Sequence, residues 1–236
     1  MEIKLQPIGI LHSPFKEKFA VPRQPGLVNS IEAELELLPP FNPAESLRGL
    51  EEFSHLWLIF LFHQNLGRAW HPTVRPPRLG GNQRVGVFAS RSPFRPNPLG
   101  LSAVELVGID FEGKSPRLRL RGTDLVDGTP ILDIKPYLPY TDALTQATGA
   151  FAAKRPHQIA VEFTPAATAQ LQQLKPRYPH LRQAIAEILA QDPRPAYRGG
   201  KQDVNDYGVK IFDLELRWKM NGETAEVTAI SPVSEG

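Results

Sequence analysis

The sequence predicts a mainly β protein, α+β overall, with an N-terminal barrel or strongly curved sheet and a small C-terminal α+β domain. Three observations lead there. Short apolar runs with strand character recur over residues 1 to 140, and no long amphipathic helix separates them; that disfavours a doubly wound α/β sheet. Proline is abundant, 24 in 236 residues without a repeat, against a usual share of roughly 5%, so many loops have fixed conformations. After residue 156 the pattern changes to a strand, two helical stretches and a hairpin.

In order, ILHS opens the β half and IEAELELL follows, with Ile31, Ala33, Leu35 and Leu37 alternating against Glu32, Glu34 and Glu36. HLWLIFLF, residues 55 to 62, is apolar on both faces and fits a central strand. VGVFAS, LSAVELVGI and LRLRG carry further strand signals, and Arg117, Arg119 and Arg121 on LRLRG fit a solvated sheet edge better than a binding surface. An Asp-Gly turn in LVDGTPILDIKPYLPY precedes another strand. TDALTQATGAFAAKRP, residues 141 to 156, is small, polar and weakly patterned, and reads as a linker that divides the chain into domains 1–145 and 146–236.

Beyond it, IAVEF is strand-like and Thr164-Pro165 forms an N-cap and first-turn pair for AATAQLQQL. HLRQAIAEILAQ places Leu181, Ile185, Ile188 and Leu189 on one helical face. KIFDLELRW alternates Phe212, Leu214, Leu216 and Trp218 with Asp213, Glu215 and Arg217 as one strand, and Asn221-Gly222 turns the chain into AEVTAI.

Composition removes several function classes. With no cysteine, a disulfide framework, a thiolate metal site and a cysteine nucleophile are excluded. No apolar stretch reaches membrane-spanning length and MEIKLQPIGI lacks the parts of a signal peptide, so a cytoplasmic protein is expected. Neither GxxxxGK[ST] nor GxGxxG after a strand occurs, nor HExxH, HxH or GxSxG, which leaves nucleotide cradles, metal centres and acyl transfer without support. His55 and His63 flank an apolar run, where a structural histidine is commoner than a metal ligand. A net charge of +2 does not by itself imply a nucleic-acid partner.

Four polar, backbone-rich loops remain, more than a β topology needs. PRQPGLVNS joins Arg23 to a Pro-Gly turn, where glycine lets a ligand approach the main chain. Residues 63 to 84 hold four arginines and Gly80-Gly81; residues 125 to 140 hold the DG turn, Thr129, Asp133, Lys135, Tyr137 and Tyr140. In SRSPFRPNPLGLS, residues 90 to 102, Pro93, Pro96 and Pro98 fix the frame around Arg91 and Arg95. Such a loop is ordered before any ligand arrives, and its guanidiniums suit a carboxylate or a phosphate.

SRSPFRPNPLGLS, with KEKFAVPRQPGLV, FSHLWLIFLFHQ, PTVRPPRLGGN, DLVDGTPILDIKPYLPY and QDPRPAYR in order along the chain, resembles the TrmO family, also called TsaA-like or YaeB. The resemblance implies a TsaA-like β-barrel that binds S-adenosyl-L-methionine, a small C-terminal domain and a homodimer. It implies a tRNA methyltransferase acting on N6 of N6-threonylcarbamoyladenosine next to the anticodon of threonine tRNA, with no metal and no membrane. By the same resemblance the cofactor site falls on Pro25, Gly26, Leu27, His63, Gln64, Arg91, Leu101, Asp127, Gly128, Thr129, Pro130 and Ile131. Methyl transfer then needs removal of the N6 proton, for which Asp133 is the candidate base and His63 the alternative; Lys135 or Tyr137 would stabilise the urea oxygen. Arg95 or Arg23 would read the threonyl carboxylate, Asn97 would face the modified base, and Arg194, Tyr197 and Arg198 would meet the tRNA backbone. Two other classes are weighed: a non-catalytic RNA-binding barrel and a methyltransferase of a small molecule.

Overall fold

A computed structural model of the chain describes residues 3–194 and 205–233. It forms two compact units, neither continuous in sequence: one holds the chain up to His12, Ala33–Arg121 and Gly128–Arg155, the other Ser13–Glu32, Gly122–Asp127 and the chain from Pro156 onward.

The first unit is a closed barrel of six strands in the order β1 (Gly9–His12), β2 (Glu32–Leu37), β7 (Arg117–Arg121), β6 (Leu99–Asp110), β3 (His55–Leu61) and β8 (Thr129–Pro136). A small ribbon of β4 (Thr73–Val74) and β5 (Val85–Gly86) lies in the long β3–β6 connection. Alternation fills the interior: Leu11, Leu35, Leu56, Leu58, Leu118, Leu120 and Ile131 are wholly buried. The continuous apolar run 55–61 is indeed central, paired with β6 on one side and β8 on the other.

Two expectations for this unit are corrected. Barrel closure leaves β7 no free edge; its outward arginines instead pair across strands, Arg117 with Glu34 at 3.3 Å and Arg121 with Glu105 at 3.2 Å. VGVFAS is a strand only at Val85–Gly86, and Val87–Ala89 is a 3-10 turn. The Ser90 hydroxyl closes that turn by donating to the Val87 carbonyl at 2.8 Å, with Val87 buried and Phe88 turned to solvent.

In the second unit a sheet runs β10 (Asp206–Ile211), β11 (Leu214–Asn221), β12 (Thr224–Pro232), β9 (Ala160–Phe163), with β9 parallel to β12. Helix α2 (Pro165–Leu174) is capped by the Thr164 side chain, which accepts from the Ala167 amide, and packs on β12; α3 (Leu181–Leu189) buries Leu181, Ile185, Ile188 and Leu189 as its spacing requires. A short helix, α1 (Pro139–Asp142), belongs to the barrel unit. Segment 13–32 is part of this core: Phe15 bridges to Ile211, and Phe19 stacks at 5.9 Å on the wholly buried Trp218.

KIFDLELRW is not one strand. The chain reverses at Phe212-Asp213, with Ile211 opposite Leu214 and Phe212 at φ 57°. The reversal is hidden in the pattern because Phe212 shares the parity of the inward Leu214, Leu216 and Trp218. What holds it is distant in sequence: the Tyr178 ring lies 4.8 Å from Phe212, the Tyr178 hydroxyl donates to Asp213, and Arg177 pairs with Asp213 at 2.8 Å.

Candidate active site

The site begins with an irregularity in β8. Ile131 lies opposite Phe60, but the next pair is Asp133 opposite Ile59, so Leu132 is an extra residue, a β-bulge. Ile131 faces the barrel interior with Phe60. Without the bulge Asp133 would have the same parity and face inward as well; with it, Asp133, Lys135 and Tyr137 line the outer face. Lys135 Nζ pairs with Asp133 Oδ2 at 3.0 Å, and Asp133 Oδ1 accepts from the Ile134 amide. Tyr137 packs on Trp57 at 5.5 Å, while Trp57 Nε1 donates to Asp142 at 2.8 Å and the same carboxylate oxygen accepts from the Leu138 amide.

Cross-strand register extends this face. Leu101, Ile59 and Asp133 form one row and Ala103, Trp57 and Lys135 the next. Leu101 is half exposed, and two strand spacings separate it from Asp133, about 10 Å. A cofactor candidate and the candidate base thus share one surface of the barrel.

The remaining barrel candidates gather at one end. There β3 finishes, β6 starts and β8 starts, because both neighbours run antiparallel to β3. Leu61 lies opposite Leu99 and the Phe62 amide donates to the Pro98 carbonyl at 2.8 Å, so His63 and Gln64 emerge beside the end of the proline-rich loop. That loop is organised locally: Ser92 N donates to the Ser90 hydroxyl, Phe94 N to the Ser92 hydroxyl and Leu99 N to the Asn97 carbonyl. Gly100 is held to glycine, since a Cβ there would stand 2.1 Å from the Phe60 ring. Arg91 and Asn97 are exposed, and Arg95 makes no hydrogen bond or ion pair among the described residues. At the start of β8, Gly128 has φ +75° and Thr129 and Ile131 are buried; the Ile131 carbonyl is taken by the Ile8 amide and Pro130 lies opposite Ile10.

Pro25, Gly26, Leu27 and Asp127 belong to the second unit. Asp127 is engaged, accepting from the Ser13 amide at 2.9 Å and from Lys16 Nζ at 2.7 Å. Gly26 has φ +73° and donates its amide to the Gly122 carbonyl at 2.8 Å. A Cβ at Gly26 or at Gly128 would meet nothing within 4 Å. In the second unit, main chain bared at the left-handed Gly26, next to a half-buried Leu27, suits a ligand read by backbone groups and apolar contact.

The expected substrate cations have different settings. The Arg23 guanidinium donates to the carbonyls of Asp192 and Arg194, both at 3.4 Å. Arg194 is not a surface phosphate ligand: its side chain is only 3% exposed, and Asp192 holds it fork to fork at 2.7 and 2.8 Å. Tyr197 and Arg198 lie outside the described residues. Among the described residues no group of three histidine, aspartate or glutamate side chains is placed to hold a metal ion, and no helix is long and apolar enough to cross a membrane.

Sequence reasoning missed Trp57 and Asp142, which brace Tyr137, and the polar residues along α3 and just beyond its C-terminus. Gln183, Glu187 and Gln191 recur every four residues, a second stripe beside the apolar one; Glu187 and Gln191 both hydrogen-bond to the segment 27–30.

The model of the tRNA-methyltransferase O N-terminal domain matches residues 10–143, and that of the TrmO C-terminal domain residues 156–233. The chain is 52% identical over 230 residues to a tRNA (adenine(37)-N6)-methyltransferase of Escherichia coli (strain K12), covering 97% of this chain and 98% of that protein. It is 49% identical over 222 residues to a putative S-adenosylmethionine-dependent methyltransferase of Pseudomonas aeruginosa, covering 92% and 93%. A crystal structure of TrmO from Pseudomonas aeruginosa superposes with a TM-score of 0.82 at 40% identity, covering 98% of this chain and 99% of that one.

Proposed function

The chain belongs to the tRNA-methyltransferase O family, and from that membership we propose that it methylates N6 of the adenine at position 37 of tRNA, with S-adenosylmethionine as donor. Within that activity, the substrate is the N6-threonylcarbamoyl form in threonine tRNA, and the enzyme works as a cytoplasmic homodimer. Beside the family membership, what supports the reading is the row Leu101, Ile59, Asp133, in which the residue proposed to meet the cofactor and the proposed base share one barrel surface.

Bound S-adenosylmethionine supplies an electrophilic methyl group. The chain's own residues hold it and manage one proton. The main chain at Pro25, Gly26 and Leu27 and at Asp127, Gly128, Thr129, Pro130 and Ile131 takes the nucleoside part, with His63, Gln64 and Leu101, while Arg91 pairs with the methionyl carboxylate. The carbamoyl group withdraws electrons from N6 and makes its proton more acidic. Asp133 would take that proton while the methyl leaves the sulfonium sulfur, as a neutral thioether, for N6; Lys135, held 3.0 Å from Asp133, would donate to the urea oxygen, and Tyr137 would assist it. Arg95 takes the threonyl carboxylate in preference to Arg23, whose guanidinium already bonds two carbonyls. Asn97 faces the modified base, and Tyr197 and Arg198 meet the tRNA backbone.

Incubation with labelled S-adenosylmethionine and threonine tRNA, with and without the threonylcarbamoyl group, tests this. Label should enter only the modified tRNA, and the product should carry a methyl on N6 of position 37. Transfer without that group defeats the substrate assignment, transfer to a small molecule without tRNA places the chain in another class, and failure to bind the cofactor removes the enzyme reading. Arg95→Ala should raise KM for tRNA about tenfold or more and leave cofactor affinity within about twofold, the loss of one charge-assisted contact.

A further inference from the structure

Besides the bond between Gly26 and Gly122 and the Arg23 contacts, segment 22–30 is held from α3 and the residues just beyond its C-terminus. Glu187 Oε2 accepts from the Asn29 amide at 2.8 Å, the Ser30 amide at 3.1 Å and the Ser30 hydroxyl at 2.9 Å. On the other carboxylate oxygen, Gln183 Nε2 donates at 2.9 Å. Just past the end of the helix, Gln191 Nε2 donates to the Leu27 carbonyl at 3.1 Å and to the Glu187 carbonyl at 3.4 Å. Inside the segment the Asn29 amide group closes back on the Gly26 carbonyl at 3.0 Å.

A carboxylate that gathers two consecutive main-chain amides and a hydroxyl fixes both peptide planes and cannot be replaced by packing alone. It costs the helix a polar face, and nothing in the core requires it: the apolar face of α3 carries Leu181, Ile185, Ile188 and Leu189 independently. The beneficiary is the backbone at Gly26 and Leu27.

We propose that Glu187 and Gln191 are positioning residues for the cofactor: the C-terminal region of the chain sets the shape of the Pro25-Gly26-Leu27 turn before S-adenosylmethionine arrives. The inference rests on the cofactor reading of that turn. It assigns the C-terminal region a part in donor binding that is separate from any contact with tRNA. Preorganisation of this kind acts on affinity, because the ordering of the turn is completed before binding.

Titration calorimetry with S-adenosylmethionine and steady-state kinetics on the full chain test it. Glu187→Ala should weaken cofactor binding about tenfold or more, Gln191→Ala about threefold, and Glu187→Gln, which keeps an acceptor oxygen, should fall between Glu187→Ala and the native protein. At saturating cofactor kcat should stay within about twofold, and KM for tRNA should not move. Ile188→Val, a trim of the same helix on its buried side, lowers the melting temperature without touching the turn and should leave cofactor affinity unchanged. Native affinity in folded Glu187→Ala would overturn the inference and leave the cofactor reading intact, as would an equal affinity loss in Ile188→Val, which would reduce the effect to stability. A native protein that does not bind the cofactor would overturn the reading and the inference together.

Discussion

The two loops proposed to meet the cofactor are made rigid in opposite ways. Residues 90–98 are stiffened by what they contain: three prolines and two serine-closed turns, tied to the barrel by the bond between Phe62 and Pro98. Residues 22–30 contain two prolines and a left-handed glycine, and are held by Gly122, Glu187 and Gln191 from far along the chain. The first loop carries its order with it wherever the chain places it. The second has order only in the folded protein, so its stability and its ligand affinity are coupled.

The largest separation of the two should come from Gly122. Its φ is +76°, and a Cβ there would stand 2.9 Å from Asn29 Oδ1 and 3.3 Å from Gly26 Cα. Gly122→Val should destabilise by about 1–3 kcal/mol, lower Tm by roughly 5 °C, and weaken cofactor binding about tenfold by pushing the Gly26 turn. Unchanged affinity alongside a lower Tm would mean that the turn does not depend on its distant supports.

Removing stiffness from the other loop should do less. Pro93→Ala with Pro96→Ala frees two φ angles in the unfolded chain and should cost about 1–2 kcal/mol, with affinity reduced about threefold. If this pair harms binding more than Gly122→Val does, the contrast between the loops is reversed.

The smallest effect concerns the Phe212-Asp213 turn, another segment held by remote partners. The Tyr178 hydroxyl bond, together with Arg177, holds the Asp213 carboxyl below the usual carboxylate range, and partial burial and the same bond push Tyr178 up to about 12. A depressed carboxylate stabilises the fold above its unfolded value and loses that contribution as pH falls through its folded value; a raised phenol stabilises below about 10 and loses it toward 12. Asp213→Asn should therefore lower the denaturant midpoint at pH 7, and the gap from the native protein should narrow in strong acid. A gap that is independent of pH would show that the carboxylate's charge contributes nothing to the turn.

What could be read beforehand follows the same division. Strands β1, β2, β3, β6 and β7, the Thr164 cap, the α3 face and the turn at Gly222 all follow from neighbours a few residues apart. Segment 13–32 looked like a barrel loop and instead belongs to the core around Trp218, because its apolar residues Phe15 and Phe19 have no local pattern to betray their partners. Arg194 looked like a phosphate ligand because burial against Asp192 leaves no mark on composition. The cofactor residues follow from resemblance and the substrate residues from the charge of their segments; residue spacing alone reaches only an anion-handling loop.

Leu132 makes the barrel depend on a residue left out of its ladder. Were Leu132 to pair evenly with Ile59, Asp133 would fall opposite Leu58 and Lys135 opposite Leu56, and the carboxylate and the ammonium would be driven into a space lined by Leu56, Leu58 and Phe60. Deleting Leu132 would instead keep Asp133 opposite Ile59 and both charges outside. A slip of register by a single residue thus separates a folded barrel from a chain with two charges where its oil should be.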